Sequence, residues 1–534
     1  MVMELQANYS RSTVSGAYVL DNFGGAAVPD NLSPSSFTFD LSSRNAAFMR
    51  GDETSSVQRQ FNLVGSVTRA SDNHVFKFGG DYRRLSPIIG QRATEENVLF
   101  PGIGQAPRIS FVNHATPQRP VFNRLSLYGQ DQWKQSSQLT LIYGMRWELA
   151  PAPSSNGHAL WNTSFGNFAP RASVAYQVKR NSDTVLRGAV GVVYDMSQDR
   201  SGNFFANSVP FISGENALPF IAFDRKLKAP YAIDWSVSVE RYLGSSQQLS
   251  AVYAGSSGKR LLHTETLFDR NPGFLRLVTN RGSSDYRALQ VNFQRTFSAN
   301  LAANVSYVWS QSLDNVSEDS ERRVIMASAN PKLDRGPSDF DIRHHLTGYV
   351  SYALPAPLAQ GLGNKLLRNW SLDSIFNARS ARSLNVVYMF PTSYGVAYLR
   401  PDVVSGASLY IPDLNAPGGR RLNPAAFLIP WTLEQGNLAR NSLRGFPFYQ
   451  IDLALRRKFN FSETVGLQFQ ADAFNVFNHT NFEDPLGNDL VTGDSLAFGQ
   501  STSLSGRSLA GGGFGSFYSF GGARTMRFSV KFLF

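Results

Sequence analysis

The sequence has no cysteine in 534 residues, and only 17% of its residues are charged. The first absence excludes disulfide scaffolds, cysteine-ligated zinc, iron–sulfur clusters and thiol catalysis. It suits a chain that crosses an oxidising compartment, where stray thiols pair wrongly. Long apolar runs are missing too. No stretch approaches the ~18 residues a transmembrane helix needs, so a helical membrane protein is excluded. Stripes at 3.6-residue spacing are nearly absent, with one short candidate helix around Pro357–Leu367. Residues Met1–Ser10 carry no basic segment, apolar segment or small-residue cleavage site of a secretory signal. The expectation is that the chain lacks its front end.

Phe (40), Tyr (20) and Gly (44) are abundant, and the net charge is +11. The apolar residues alternate. Met526, Phe528, Val530, Phe532 and Phe534 interleave with Arg527, Ser529, Lys531 and Leu533. Period 2 places one set on each face of a strand. The same pattern recurs in Ile451/Leu453/Leu455, Leu289/Val291/Phe293, Trp235/Val237/Val239, Leu139–Trp147 and Phe76/Phe78/Tyr82. An alternating strand hides its hydrophobicity on one face, so the average stays polar.

The connections alternate as well. Residues 478–522, 391–446, 312–337, 261–284, 197–229, 150–166 and 85–122 read as long or medium loops. Between them fall tight turns at 460–463, 298–300, 244–247, 179–183, 135–137 and 71–73, and a moderate one at 355–368. Short turns on one rim and long loops on the other characterise outer-membrane barrels. In lipid a sheet must close, because open edges leave unpaired N–H and C=O groups. The expected fold is all-β: a transmembrane antiparallel outer-membrane β-barrel of about 16 strands, with short periplasmic turns and long extracellular loops. Trp133, Trp147, Trp235, Trp309 and Trp370 are expected near strand ends, where interfacial rings sit. Should the sheet not close, Glu4–Arg11 and Arg524–Phe534 would be its exposed edges.

With the strands laid out, the chain resembles the barrel of Oar-like TonB-dependent receptors, a type that carries a carboxypeptidase-regulatory-like domain at the front. The resembling stretches are His74–Arg84, Ser126–Trp133, Leu139–Arg146, Ala169-Pro170-Arg171, Ala288–Val291, Asp339–His344, Ala425-Ala426-Phe427, Arg440–Gly445 and Phe474–His479. Their order covers roughly residues 1–534. The resemblance implies a 22-strand barrel and energised uptake. It also implies a signal peptide, an accessory domain, a TonB box and a plug before the barrel, and none is visible in this sequence. Contact with the TonB complex is therefore expected only through parts outside it. Resemblance to outer-membrane proteins generally implies that the C-terminal Phe534, with Phe532, Val530 and Phe528 on the same strand face, is read by the barrel-assembly machinery.

No catalytic or cofactor site is specified. Seven histidines are scattered without an H-E-x-x-H pattern. His344 and His345 are neighbours and should point to opposite faces, and His479 reads as a turn or rim residue. Gly255–Arg260 lacks phosphate-loop spacing, and Gly511–Gly515 lacks the strand–helix context of a dinucleotide site. No Gly-x-Ser-x-Gly elbow occurs. The chain is not expected to be an enzyme, to hold a cofactor or metal, or to bind nucleic acid. Arg83, Arg84, Arg146, Arg295, Arg456 and Arg457 lie at strand ends or on the polar face. They serve either anionic solutes in the lumen or phosphates of the outer-membrane lipid and lipopolysaccharide. Loops 391–446 and 478–522 are the expected ligand contacts.

Two functions fit: a transporter barrel for an oligosaccharide, glycoconjugate or peptide, or a plugless passive pore or adhesion barrel. A soluble β-rich carbohydrate-binding protein would leave the loop parity and terminal Phe as accidents.

Overall fold

A computed structural model describes residues 1–16, 37–40, 46–50, 54–89, 96–100, 108–110, 119–155, 158–179, 183–196, 220–269, 273–298, 300–317, 331–355, 368–392, 395–430, 432–462, 464–485, 498–505 and 521–534. The candidate helix at Pro357–Leu367 lies outside them. One sheet of 19 strands dominates, and three of these (Ile88–Ile89, Phe220–Phe223 and Gly336–Pro337) are short additions.

The other 16 run in chain order, each antiparallel to the next. They are β1 (Val2–Gly16), β2 (Thr54–Ser71), β3 (His74–Leu85), β4 (Phe122–Lys134), β5 (Leu139–Leu149), β6 (Phe168–Gln177), β7 (Thr184–Tyr194) and β8 (Tyr231–Tyr242). Then come β9 (Gln247–Asp269), β10 (Gly273–Ser298), β11 (Leu301–Asp314), β12 (His344–Ala353), β13 (Trp370–Arg379), β14 (Phe448–Asn460), β15 (Gly466–Phe474) and β16 (Thr525–Leu533).

Cross-strand register turns the period-2 pattern into two chemically distinct faces. Leu141 lies beside Trp133 and Val174, Trp235 beside Val190 and Gly255, and Leu289 beside Tyr253 and Trp309. Phe469 lies beside Arg457 and Val530. The opposite face carries Arg187, Ser238, Gln290, Asn292, Asp373, Arg456, Asp472 and Arg527. The apolar residues stay on the surface: Val237 is 62% exposed and Phe528 67%. A soluble sheet would bury such a face, whereas lipid rewards it.

The short connections collect on one rim. Several turn through the left-handed region: Asp72 (φ 47°), Gly244 (φ 76°), Asn300 (φ 64°) and Asn369 (φ 62°). Asn, Asp and Gly tolerate that conformation best. Trp133 and Trp370 sit at this short-turn rim. Trp147, Trp235 and Trp309 lie inside their strands, seven or eight residues from it on the apolar face. Eight residues of tilted strand rise roughly 20 Å, close to the ~25 Å apolar band that aromatic girdles flank. The tryptophans therefore mark two belts, and the strands continue beyond the upper one.

That continuation corrects the loop expected at 261–284. β9 and β10 are 23 and 26 residues long and pair from Gln247 and Arg295 to Asp269 and Gly273, with irregularities at Gly258–Leu261 and Leu261–His263. Above the belt no oily face is required, so the apolar alternation fades while the ladder continues.

Residues 391–446, expected as a plain loop, are a second correction. They belong to a folded cap with ladders Ser383–Leu384 to Leu443–Arg444, Tyr388–Thr392 to Gly395–Leu399, Asp402–Val403 to Phe427–Leu428, and Tyr410–Pro412 to Arg420–Leu422. Val386, Leu422, Ala426, Phe427, Leu438, Leu443 and Phe498 form its buried core.

Among the described residues no ladder joins β1 to β16. Among these residues β1 pairs with β2 and β16 with β15, and neither has a second partner strand.

Candidate functional site: the cap and the polar face

The cap is fastened to the long-connection rim by buried ion pairs. Arg400, 1% exposed, donates from Nη1 to Asp334 Oδ1 (2.7 Å), from Nε to the Leu438 carbonyl (3.1 Å) and from Nη2 to the Leu333 carbonyl (3.2 Å). Arg440 donates from Nη1 to Asp314 Oδ1 (2.5 Å) at the end of β11, and from Nη2 to Ser317 Oγ (2.5 Å). Arg444 donates from Nη2 to Asp341 Oδ2 (2.6 Å), while Asp341 Oδ1 accepts from the Ser312 amide (2.7 Å). Asn441, left-handed at φ 54°, donates to the Pro337 carbonyl (2.9 Å) and Asp339 Oδ1 (2.5 Å). Two of the resembling stretches, Asp339–His344 and Arg440–Gly445, thus meet here, and Ala426 and Phe427 of a third lie in the adjoining core. Arg400, Asp334 and Asp314 carry no sequence signal. Their partners are 66 to 126 residues away.

A polar seam runs beside this clamp. Asp484 accepts from the Phe446 amide through Oδ1 (3.3 Å). Burial pushes its carboxyl above the usual carboxylate range, partly offset by that amide and by Arg379 and Arg382. Tyr410 donates to the Arg444 carbonyl (2.6 Å), and burial raises its phenol above the ordinary value. Arg420 lies over the rings of Tyr410 (4.7 Å) and Phe446 (5.2 Å), a cation–π pairing.

Below the cap the polar face is laced by shorter networks. Arg146 donates to Glu148 (2.6 Å), which accepts from Ser126 (2.8 Å). Arg187 reaches Glu240 with both Nε (3.2 Å) and Nη2 (3.3 Å). Arg456 holds Asp373 (2.5 and 2.6 Å), and Arg527 holds Asp472 (2.8 Å).

The singled-out arginines divide between the faces. Arg83, Arg146 and Arg456 are on the polar face, and Arg83 donates to Gln60 (2.7 Å). Arg84, Arg295 and Arg457 have apolar-face register. Arg457 lies over Trp370 (5.3 Å) and Phe459 (4.0 Å) at the short-turn rim. His344 meets the Tyr307 hydroxyl (2.8 Å) and His345 the Asn377 amide oxygen (3.3 Å), on opposite faces as their adjacency requires. His479 stacks on Tyr449 at 3.5 Å between centroids. Phe528, Val530 and Phe532 line one exposed face of β16, and Phe534 follows it, fully exposed.

The apolar face holds a buried carboxylate. Asp131, 5% exposed, accepts from Tyr143 (2.8 Å) and pairs with His74 Nδ1 (2.7 Å). His74 itself is stacked between Phe76 and Trp133. Sequence alternation alone placed only apolar residues there.

Comparison with known proteins agrees with this architecture. Residues 1–158, 151–219 and 215–510 match the family described as outer membrane beta barrel domain. The ferric citrate transporter FecA, in its unliganded form, superposes over 99% of this chain and 58% of its own, at 11% identity and a TM-score of 0.50. The ferripyoverdine receptor of the outer membrane of Pseudomonas aeruginosa superposes over 99% and 53%, at 9% identity and a TM-score of 0.50. The chain thus spans little more than half the length of these similar structures. No curated protein sequence matches it. The match covers most of the sequence, and the two-faced antiparallel sheet is the fold it describes. The chain belongs to the outer membrane beta barrel domain family and is a protein of the outer membrane.

Proposed function

We propose that this chain is the barrel of an Oar-like, TonB-dependent transporter that takes up a large substrate: an oligosaccharide, a glycoconjugate or a peptide. The observation that carries the reading is the fastened cap. A folded unit with its own core, held to the rim by two buried Arg–Asp pairs and a third whose arginine is half-buried, is a built surface for recognition at the mouth of a polar channel. The polar face below it supplies a hydrated path. Energy coupling through the TonB complex belongs, in this reading, to parts outside the sequence. The wall contacts lipid, with Arg295 and Arg457 on the face that meets it.

The second reading, a passive pore or adhesion barrel, is favoured by one observation: the polar face carries charged pairs such as Arg187–Glu240 and Arg456–Asp373, as the wall of a water-filled pore does. Planar-bilayer conductance separates the two. A transporter barrel joined to its plug stays closed until energised. A steady open pore from this chain, with no requirement for the TonB complex in uptake, selects the second reading.

A further inference from the structure

Arg171, Gly191, Asp234, Ser256 and Tyr286 form one cross-strand row on the polar face, contributed in turn by β6 to β10. They line a cavity of about 570 Å³, a volume suited to a small ligand. Gly191 supplies no side chain, so the floor between Arg171 and Asp234 is open backbone. Neither charge has a hydrogen-bond or ion-pair partner among the described residues. This is not the habit of the neighbourhood: Arg187 and Glu240, on β7 and β8, are joined by two hydrogen bonds.

The unpaired cation and the unpaired anion stand two strand spacings apart, about 9.6 Å between backbones. The two side chains are within reach of one another across Gly191, yet no direct bridge joins them, which leaves both charges to a ligand with opposite charges at its ends. Three extended residues span about 10 Å. We propose that this row binds short zwitterionic peptides, the carboxylate on Arg171, the ammonium on Asp234 and the backbone along the Gly191 floor. Ser173, Ser236 and Ser256 offer hydroxyls to its amides, and Tyr286 closes one side. A purely anionic or cationic solute would leave one of the two charges unanswered.

The proposal deepens the transporter reading by naming a ligand class for its channel, and it rests on that face being a solute path. Binding is measured by calorimetry on the whole chain in detergent micelles, with triglycine as probe beside its C-terminal amide and its N-acetyl form. Triglycine should bind at least about tenfold more tightly than either blocked form. Arg171→Gln should erase the advantage over the amide, and Asp234→Asn the advantage over the acetylated form. Gly191→Leu should abolish binding of all three. A β-carbon at Gly191 meets nothing closer than Arg171 Cβ at 3.4 Å, so this variant can fold. Equal affinity for free and blocked peptides on the unmodified chain would overturn the proposal, whatever the variants do. Binding retained without peptide uptake by cells would reject the transporter reading and leave the pocket standing.

Discussion

Arg440 and Asp314 are 126 residues apart in sequence and meet at 2.5 Å, both nearly sealed from solvent. One belongs to the cap and the other ends β11, so this contact is one of the pairs that dock the cap. Removing one partner of a buried pair strands the other charge and costs about 3–5 kcal/mol. Arg440→Ala should therefore raise hydrogen exchange across 383–446, while the strand ladders keep their protection. Uniform protection in the variant would show that the cap is held elsewhere.

Asp484 gives the cap a pH dependence of definite sign. Its carboxyl is raised in the folded state by burial, so folding favours its protonated form. The stability this contributes is complete below the ordinary carboxylate value of about 3.9 and is lost as pH rises through the raised one. Other carboxylates titrate in the same range, so the informative quantity is a difference. The Asp484→Asn chain should become relatively more stable than the natural one as pH rises from 4 to 7, measured by exchange at the 443–449 segment. An unchanged difference would mean Asp484 is not strained by burial.

The two faces should respond oppositely to charge. Val190→Arg on the apolar face is expected to cost about 2–4 kcal/mol in lipid refolding, and Asn292→Arg on the polar face, between Ser250 and Ser306, close to none. Urea titration in phospholipid vesicles reads both. Equal costs would contradict the assignment of faces.

Much of this was legible in the sequence because lipid imposes period 2 so strongly. The sixteen strands, most of the alternation of short and long connections and the opposite faces of His344 and His345 follow from local alternation; the connection expected at 261–284 is the exception. What alternation cannot carry was missed. The β9–β10 ladder above the aromatic belt has no oily face to announce it. The cap's core depends on Val386, Leu422 and Phe498 converging from distant segments. The clamp pairs residues that no periodicity relates. Asp131 interrupts an apolar row and is sheltered by His74 and Tyr143, which come from neighbouring strands.

The last strand makes a prediction about assembly. Phe534 is fully exposed beyond β16 and makes no stabilising burial. Deleting it should leave refolding in detergent unchanged and lower the amount assembled in the outer membrane of cells several-fold, as judged by heat-modifiable migration. Equal assembly would show that Phe534 is an ordinary terminal residue and not part of an assembly signal.

The most direct test uses the absence of cysteine. A single cysteine placed at Ser405 in the cap, or at Ser245 in the β8–β9 turn, can be labelled in intact cells with a membrane-impermeant maleimide. The barrel topology predicts labelling at 405 in intact cells, and at 245 only after the outer membrane is permeabilised. Labelling at both positions in intact cells, or at 245 alone, would contradict it.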